Sequence, residues 1–269
     1  MSDIMKGKRG LIMGVANNHS IAWGIANTLR EHGAELAFTH QGEALGKRVK
    51  PLAASVGSDI VLPCDVEDIV SVRAVFDALK ERWGTLDFVV HAIGFSDKSE
   101  LKGRFVDNTT RENFVRTMVI SAHSFTEVAQ LAMPLMSNGG SLLTLTYGGS
   151  VRVMPNYNVM GVAKAALESI TRYLAADLGE QGIRVNAISA GPMRTLAGAG
   201  ISDARAMFNF QKHNAPLRRT VTLDEVGGAA CYLLSDMSGG VTGEIHYVDS
   251  GYNIISMPNP NNLANSSDV

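Results

Sequence analysis

The sequence predicts an α/β fold in which a doubly wound, seven-stranded parallel sheet carries helices on both faces. Three observations point there. Short apolar runs alternate with amphipathic helical stretches from end to end, the runs are nearly continuous in apolar character, and no polar linker or internal repeat interrupts them. A chain of 269 residues fits one large domain. Residues 1–258 are expected to fold as that unit, and 259–269, "NPNNLANSSDV", lacks periodicity and is expected to be a mobile tail.

The elements follow in order. "RGLIMGV" is a buried strand ending at Gly14, and "SIAWGIANTLREHG" is a helix with Ile21, Ala22, Ile25, Ala26 and Leu29 on one face, stopped at Gly33. "AELAFTHQG" is a second strand, "EALGKRVKPLAAS" a short helix interrupted near Pro51, and "DIVLPCDV" a third strand. "VRAVFDALKERWG" places Val72, Val75, Phe76 and Leu79 on one helical face and leads into the strand "LDFVVHAIG". A long helix is expected over 110–136, with Thr110 capping toward Asn113, and "GGSLLTLTY" is the fifth strand. A helix over about 157–178 precedes the strand "IRVNAISAG". "ISDARAMFNFQKHNA" reads as one or two short helices, and "TLDEVGGAACYLLSDMSGG" as a Thr-capped helix before the last strand, "EIHYVDSG".

Composition narrows the function. Apolar residues make 45% and charged residues 19%, an ordinary globular balance. With 24 basic and 26 acidic residues and no block of one sign, the net charge of -2 argues against nucleic acid and anionic membranes and favours small-molecule chemistry. No apolar stretch reaches a membrane span or a secretory h-region, and two cysteines, Cys64 and Cys231, make no disulfide framework. A cytoplasmic protein is expected. The seven histidines form no H-x-x-x-H or H-E-x-x-H set, so no metal is expected, and no G-x-S-x-G marks a hydrolase.

Ligands of open parallel sheets sit beyond the carboxyl ends of the strands. After strand one, "GVANNHSIAWG" sets Gly14, Ser20, Ile21 and Gly24 around a helix start suited to a pyrophosphate, though not in G-x-G-x-x-G spacing. A tight turn with a helix cap is the alternative. Strand two ends at Gln41, where many NAD sites hold an acid. An amide bonds ribose hydroxyls without repelling a 2′-phosphate, so NADH is preferred and NADPH stays open. Asp65 either meets the adenine amino group, with Val66 beside the ring, or caps the next helix. Ile93 and Gly94 end strand four where a sugar would approach the backbone.

At "YGGSVRVMPNYNVMGVAK" the chain resembles the short-chain dehydrogenase/reductase superfamily, and within it the bacterial NADH-dependent enoyl-acyl-carrier-protein reductases of type II fatty acid synthesis. The resemblance spans about residues 7–251, on "GVANNHSIAWG", "TYGGSVRVMPNYNVMGVAKAAL" and "NAISAGPMRTLA". Gly161 stands where the ordinary superfamily member has its lysine, and "HAIG" replaces the usual "NNAG". Both departures are the enoyl-reductase pattern. The fold implied is the Rossmann-like form of the sheet. The resemblance makes Tyr157 and Lys164 the active pair, and Tyr147 a second active-site tyrosine. Seven residues are nearly two helical turns, which puts the pair on one face.

Tyr157 would stabilise an enolate oxygen, Lys164 would hold the nicotinamide ribose, and Pro192 and Thr195 would meet nicotinamide and pyrophosphate. Phe95, Met160, Ala197, Ile201, Met207 and Phe208 would border the acyl chain, the last four within a lid over about 194–210. An ordinary packed helix or core phenols are the structural alternatives. The partner implied is an acyl-carrier protein, steered by Arg194, Arg205, Lys212, Arg218 and Arg219, and the assembly implied is a homotetramer using helices 111–136 and 157–178. Two other readings compete: a carbonyl reductase such as a ketoacyl-thioester reductase, which the tyrosine-to-lysine spacing disfavours, and a catalytically silent dinucleotide sensor.

Overall fold

A computed structural model of the chain describes residues 3–195 and 204–257. Its strands are β1 (Arg9–Met13), β2 (Glu35–His40), β3 (Val61–Pro63), β4 (Phe88–His91), β5 (Gly140–Thr146), β6 (Ile183–Ala190) and β7 (Ile245–Val248). All seven are parallel, in the order β3-β2-β1-β4-β5-β6-β7. The doubly wound α/β sheet expected from the sequence is the one observed. Winding outward from β1 to β3 and then restarting at β4 opens a crevice between the ends of β1 and β4.

The helices are α1 (Ile21–Glu31), α2 (Gly42–Ser55), α3 (Ile69–Trp83), α4 (Phe105–Asn108), α5 (Arg111–Met118), α6 (Ser124–Ala132), α7 (Asn158–Leu178), α8 (Ala204–Asn214) and α9 (Leu223–Leu234). Strand alternation divides the core between two layers. Ile12, Val90 and Leu143 pack with α1, α2 and α9, whereas their neighbours Leu11, Val89 and Leu142 pack with α3, α6 and α7. Both faces being covered explains why the strands read as continuous apolar runs.

Local signals explain most boundaries. Thr110 accepts from the Asn113 N–H at 3.2 Å, and Thr222 forms a reciprocal capping box with Glu225. Four expectations change. Pro51 does not interrupt α2, because it lies on the exposed face, where water can take the carbonyl that its missing N–H leaves. Asp65 does not cap α3. Asp68 does, accepting from the Val70 N–H at 2.9 Å. The long helix is not regular: a π turn at Val119–His123 separates α5 from α6, and a 3-10 turn at Met133–Leu135 closes it. Gly24 belongs to the α1–α9 contact and not to the loop, since a Cβ there would lie 2.7 Å from Leu223 Cβ. The expected tail at 259–269 lies outside the described residues.

Candidate active site

A cavity of about 830 Å³ lies over the carboxyl ends of β4, β5 and β6. Its walls include Ile21, Ile93, Gly94, Phe95, Tyr147, Tyr157, Met160, Lys164, Pro192, Thr195, Met207 and Phe208, so residues from across the sequence meet there as expected. Ala197 and Ile201 lie outside the described residues. Leu101 and Lys98, which belong to no motif, also line the cavity, as do Thr146 and Met193, which lie within the motifs quoted above but carry no assigned role there.

Tyr157 is the N-cap of α7 and so stands just before the helix expected to contain it; the Met160 N–H still bonds its carbonyl at 3.0 Å, which keeps the helical spacing to Lys164. Its neighbours Asn156 and Asn158 have φ of 57° and 36°, a left-handed region that asparagine tolerates better than most side chains. The Asn158 amide donates to Glu100 O at 3.0 Å and ties this turn to the loop after β4. Tyr147, directly after β5, meets the Tyr157 ring edge to face at 5.3 Å. Burial raises both phenols: the Tyr147 pKa goes up to about 12, chiefly by desolvation, and Tyr157 goes higher still for the same reason, with Tyr147 and Glu168 adding to it. Both are neutral donors at ordinary pH.

Lys164 is 7% exposed and donates from Nζ to Leu145 O at 2.8 Å. Desolvation lowers its pKa to about 8, and the nearby Glu168 carboxylate opposes the fall. Behind it His91 is fully buried, with Nε2 2.8 Å from Ser124 Oγ and Nδ1 3.2 Å from Thr144 Oγ1. Burial first, and then Lys164, hold the imidazole near pKa 3, hence neutral. Gly94 completes this corner: a Cβ on it would stand 3.6 Å from Met160 Cε and 3.7 Å from Lys164 Nζ. Glycine there keeps the approach to the lysine open. The π turn supplies Ser121, whose hydroxyl accepts from Phe95 N–H at 2.9 Å and donates to Phe95 O at 3.0 Å. That bracket sets the Phe95 wall of the cavity. Phe95 itself is 42% exposed, with the Arg116 guanidinium 4.7 Å from its ring centre.

The remaining residues expected to meet a dinucleotide do not line the cavity but follow the same sheet edge past β1, β2 and β3. Gly14 has φ +98°, and a Cβ would lie 2.1 Å from Ala92 O, so only glycine allows this close crossing of the ends of β1 and β4. Ser20 Oγ accepts from the N–H groups of Ala16 and Asn17 at 3.0 and 3.1 Å. Those two loop donors are therefore engaged, which leaves the first N–H groups of α1, at Ile21 and Ala22, as the donors for an anion. Gln41 donates to Asp65 Oδ2 at 3.1 Å, joining the two adenosine-side candidates, and Val66 packs partly against the core.

Of the basic residues expected to steer a partner, Arg219 is committed elsewhere, bonding Glu225 at 2.8 and 2.5 Å, and Arg218 donates to His213 O at 2.6 Å. The Arg194 guanidinium sits 5.3 Å from the Phe208 ring centre, Lys212 is exposed, and the side chain of Arg205 lies outside the described ones. Among the described residues, no cluster of His, Cys, Asp and Glu could hold a metal ion, and no helix is long and apolar enough to cross a membrane.

This geometry of two tyrosines packed edge to face and a buried lysine at a Rossmann-like crevice can be set beside known proteins. A family model described as enoyl-(acyl carrier protein) reductase matches residues 14–253. The chain belongs to this family. An enoyl-[acyl-carrier-protein] reductase [NADH] 2 of Rhizobium meliloti is 77% identical over 258 residues, 96% of each chain. The crystal structure of FabI from Candidatus Liberibacter asiaticus superposes with a TM-score of 0.94 at 61% identity, covering 96% of this chain and 100% of that one. An enoyl-(acyl-carrier-protein) reductase from Anaplasma phagocytophilum, solved in complex with NAD, gives a TM-score of 0.93 at 57% identity, covering 96% and 98%. Gly161 and "HAIG", the two departures in motif noted above, lie inside the matched span.

Proposed function

We propose that Tyr157, Lys164 and Tyr147 carry out the reaction of the enoyl-acyl-carrier-protein reductases in this chain. That reaction is the reduction of the trans-2 double bond of an enoyl thioester with NADH in type II fatty acid elongation, EC 1.3.1.9. The observation that carries the assignment of roles is the pairing of Tyr157 and Tyr147 beside buried Lys164 on one wall of a single cavity.

The residues present fit a dinucleotide. Gly94 leaves space beside Lys164, Gly14 permits the tight crossing at the crevice, and the start of α1 offers unpaired N–H groups. When bound, NADH would supply the hydride for substrate C3, and a proton from solvent would complete the reduction at C2. Lys164 has one Nζ hydrogen bond to Leu145 O, leaving donors for ribose hydroxyls, and Ile21, Ile93, Gly94, Pro192 and Thr195 form the rest of that wall. Tyr157 donates its phenolic hydrogen to the thioester oxygen as charge builds there. Because burial keeps the phenol protonated, it acts as a fixed electrophile and not as a base. Tyr147 packs against it and makes the smaller contribution. Met160, Phe95, Met207 and Phe208 shelter the acyl chain from water.

At the adenosine side Gln41 and Asp65 would address ribose and adenine, with Gly14, Ser20 and Val66 shaping the turn and wall. Gln41 carries no charge against a 2′-phosphate, so NADPH is taken as a weaker alternative donor, although the neighbouring Asp65 opposes it. We assign an acyl-carrier protein as the bearer of the substrate, approaching past Arg194, Lys212 and Lys98. A homotetramer is assigned to the faces of α5 and α7, where Val115, Val162 and Tyr173 are exposed. A cytoplasmic location fits two buried free cysteines. The deciding experiment incubates the protein with NADH and a trans-2-enoyl thioester and follows nicotinamide absorbance. Oxidation that depends on the enoyl thioester is expected; oxidation with a 3-ketoacyl thioester alone would select a carbonyl reductase.

A further inference from the structure

One buried acid beside this site has no part in the roles above. Glu168 is 5% exposed, one helical turn beyond Lys164 on α7, and its Oε1 accepts from Thr146 Oγ1 at 2.7 Å. Lys164 bonds the carbonyl of the preceding residue, Leu145, at 2.8 Å. Consecutive residues at the end of β5 are thus held by consecutive turns of α7, and the next residue of the chain is Tyr147.

We infer that Glu168 is a positioning residue: through Thr146, and alongside the bond from Lys164 to Leu145, it fixes the end of β5 so that Tyr147 is set against Tyr157. A buried carboxylate is costly unless it is compensated. Here the compensation is mutual, since the carboxylate receives a hydroxyl and sustains the positive charge of the lysine against desolvation. The titratable groups around the lysine are few. Glu168 and Tyr157 come from the α7 side, Tyr147 from the end of β5, and His91, already neutral, from β4. Among the described residues around the lysine, Glu168 alone brings a negative charge, so its loss has one sign: Lys164 gives up its proton at lower pH.

The inference rests on the enoyl-reductase reading but has a readout without turnover. Glu168→Gln keeps an acceptor for Thr146 and removes the charge, whereas Thr146→Val keeps the charge and removes the hydroxyl. In Glu168→Gln the alkaline loss of NADH affinity, followed by cofactor fluorescence, is expected to move down by about half a pH unit or more. In Thr146→Val that limb stays in place while kcat/KM for the enoyl thioester falls about three- to tenfold, with NADH affinity within twofold. Thermal unfolding of each variant identifies folded protein, and Thr146→Val carries the test should Glu168→Gln unfold. Folded variants that keep both the pH limb and kcat/KM within twofold of the unmodified chain overturn the inference. An unmodified chain that binds NADH yet reduces no enoyl thioester overturns the functional reading instead, and the binding limb still decides the role of Glu168.

Discussion

The tyrosine–lysine corner and the adenosine edge occupy the same end of one sheet but meet water very differently. Tyr157 and Lys164 are 8% and 7% exposed, whereas Gln41 is exposed and its bond to Asp65 lies at the surface. Low effective dielectric amplifies charge in the first region, and solvent and salt screen it in the second. In the first region burial raises two phenols and depresses a lysine. Catalytic leverage should therefore concentrate at β5 and α7, and nucleotide preference should be set by small, additive contacts along β2 and β3.

The largest expected effect breaks the buried side directly. Tyr157→Phe should lower kcat by about a hundred- to a thousandfold, the scale for losing one oxyanion donor, with the NADH dissociation constant unchanged within twofold. Steady-state kinetics with an enoyl thioester checks it; a comparable loss of NADH affinity would move this tyrosine to the cofactor wall. Next is pH. Since Lys164 is protonated below about 8 and neutral above, NADH affinity should hold below that value and weaken above it. Stability runs the other way: the unfolded lysine keeps its proton to about 10.5, so the unfolded state binds more protons between 8 and 10.5 and stability rises with pH there. Affinity flat from pH 7 to 10 would mean that the lysine charge is not what holds the cofactor.

Gly14→Ala tests the seam between the two regions. The added Cβ meets Ala92 O in a left-handed backbone, and a loss of about 1–3 kcal/mol is expected, read as a lower midpoint in denaturant. An unchanged midpoint would show that the crossing of β1 and β4 relaxes freely. Tyr147→Phe should cost less than about tenfold in kcat/KM, because its part is packing against Tyr157. A loss equal to that of Tyr157→Phe would make the two phenols equal partners. The smallest effect belongs to the exposed edge: Gln41→Ala should weaken NADH by about 1 kcal/mol or less, measured by titration, and leave kcat alone.

Residues near in sequence were read more reliably than residues near in space. The caps at Thr110 and Thr222 are visible because donor and acceptor lie three residues apart, as the helix requires. Lys164 belongs to a motif, whereas Glu168 belongs to none although it shares the buried stripe of Met160, Lys164, Leu167 and Thr171. A charged residue on an otherwise buried helical face was the available signal. The π turn left no such trace, since its widened hydrogen-bond ring has no residue type of its own. Asp65 was one expected cap of α3, and only the backbone path gives that place to Asp68. Likewise Arg219 looked free to steer a partner until Glu225 turned out to hold it.

By itself the sequence determined the order and type of the main elements and the crevice at which to look, because apolar period is a property of the chain in one dimension; Tyr157, Lys164 and Tyr147 came as candidates from the resemblance. The tertiary structure decided which distant groups meet: Gln41 with Asp65, Ser121 with the Phe95 backbone, and Thr146 with Glu168. Those contacts depend on strand register and on how each helix settles against the sheet. Both are set by the packing of the whole core, and no local pattern encodes them.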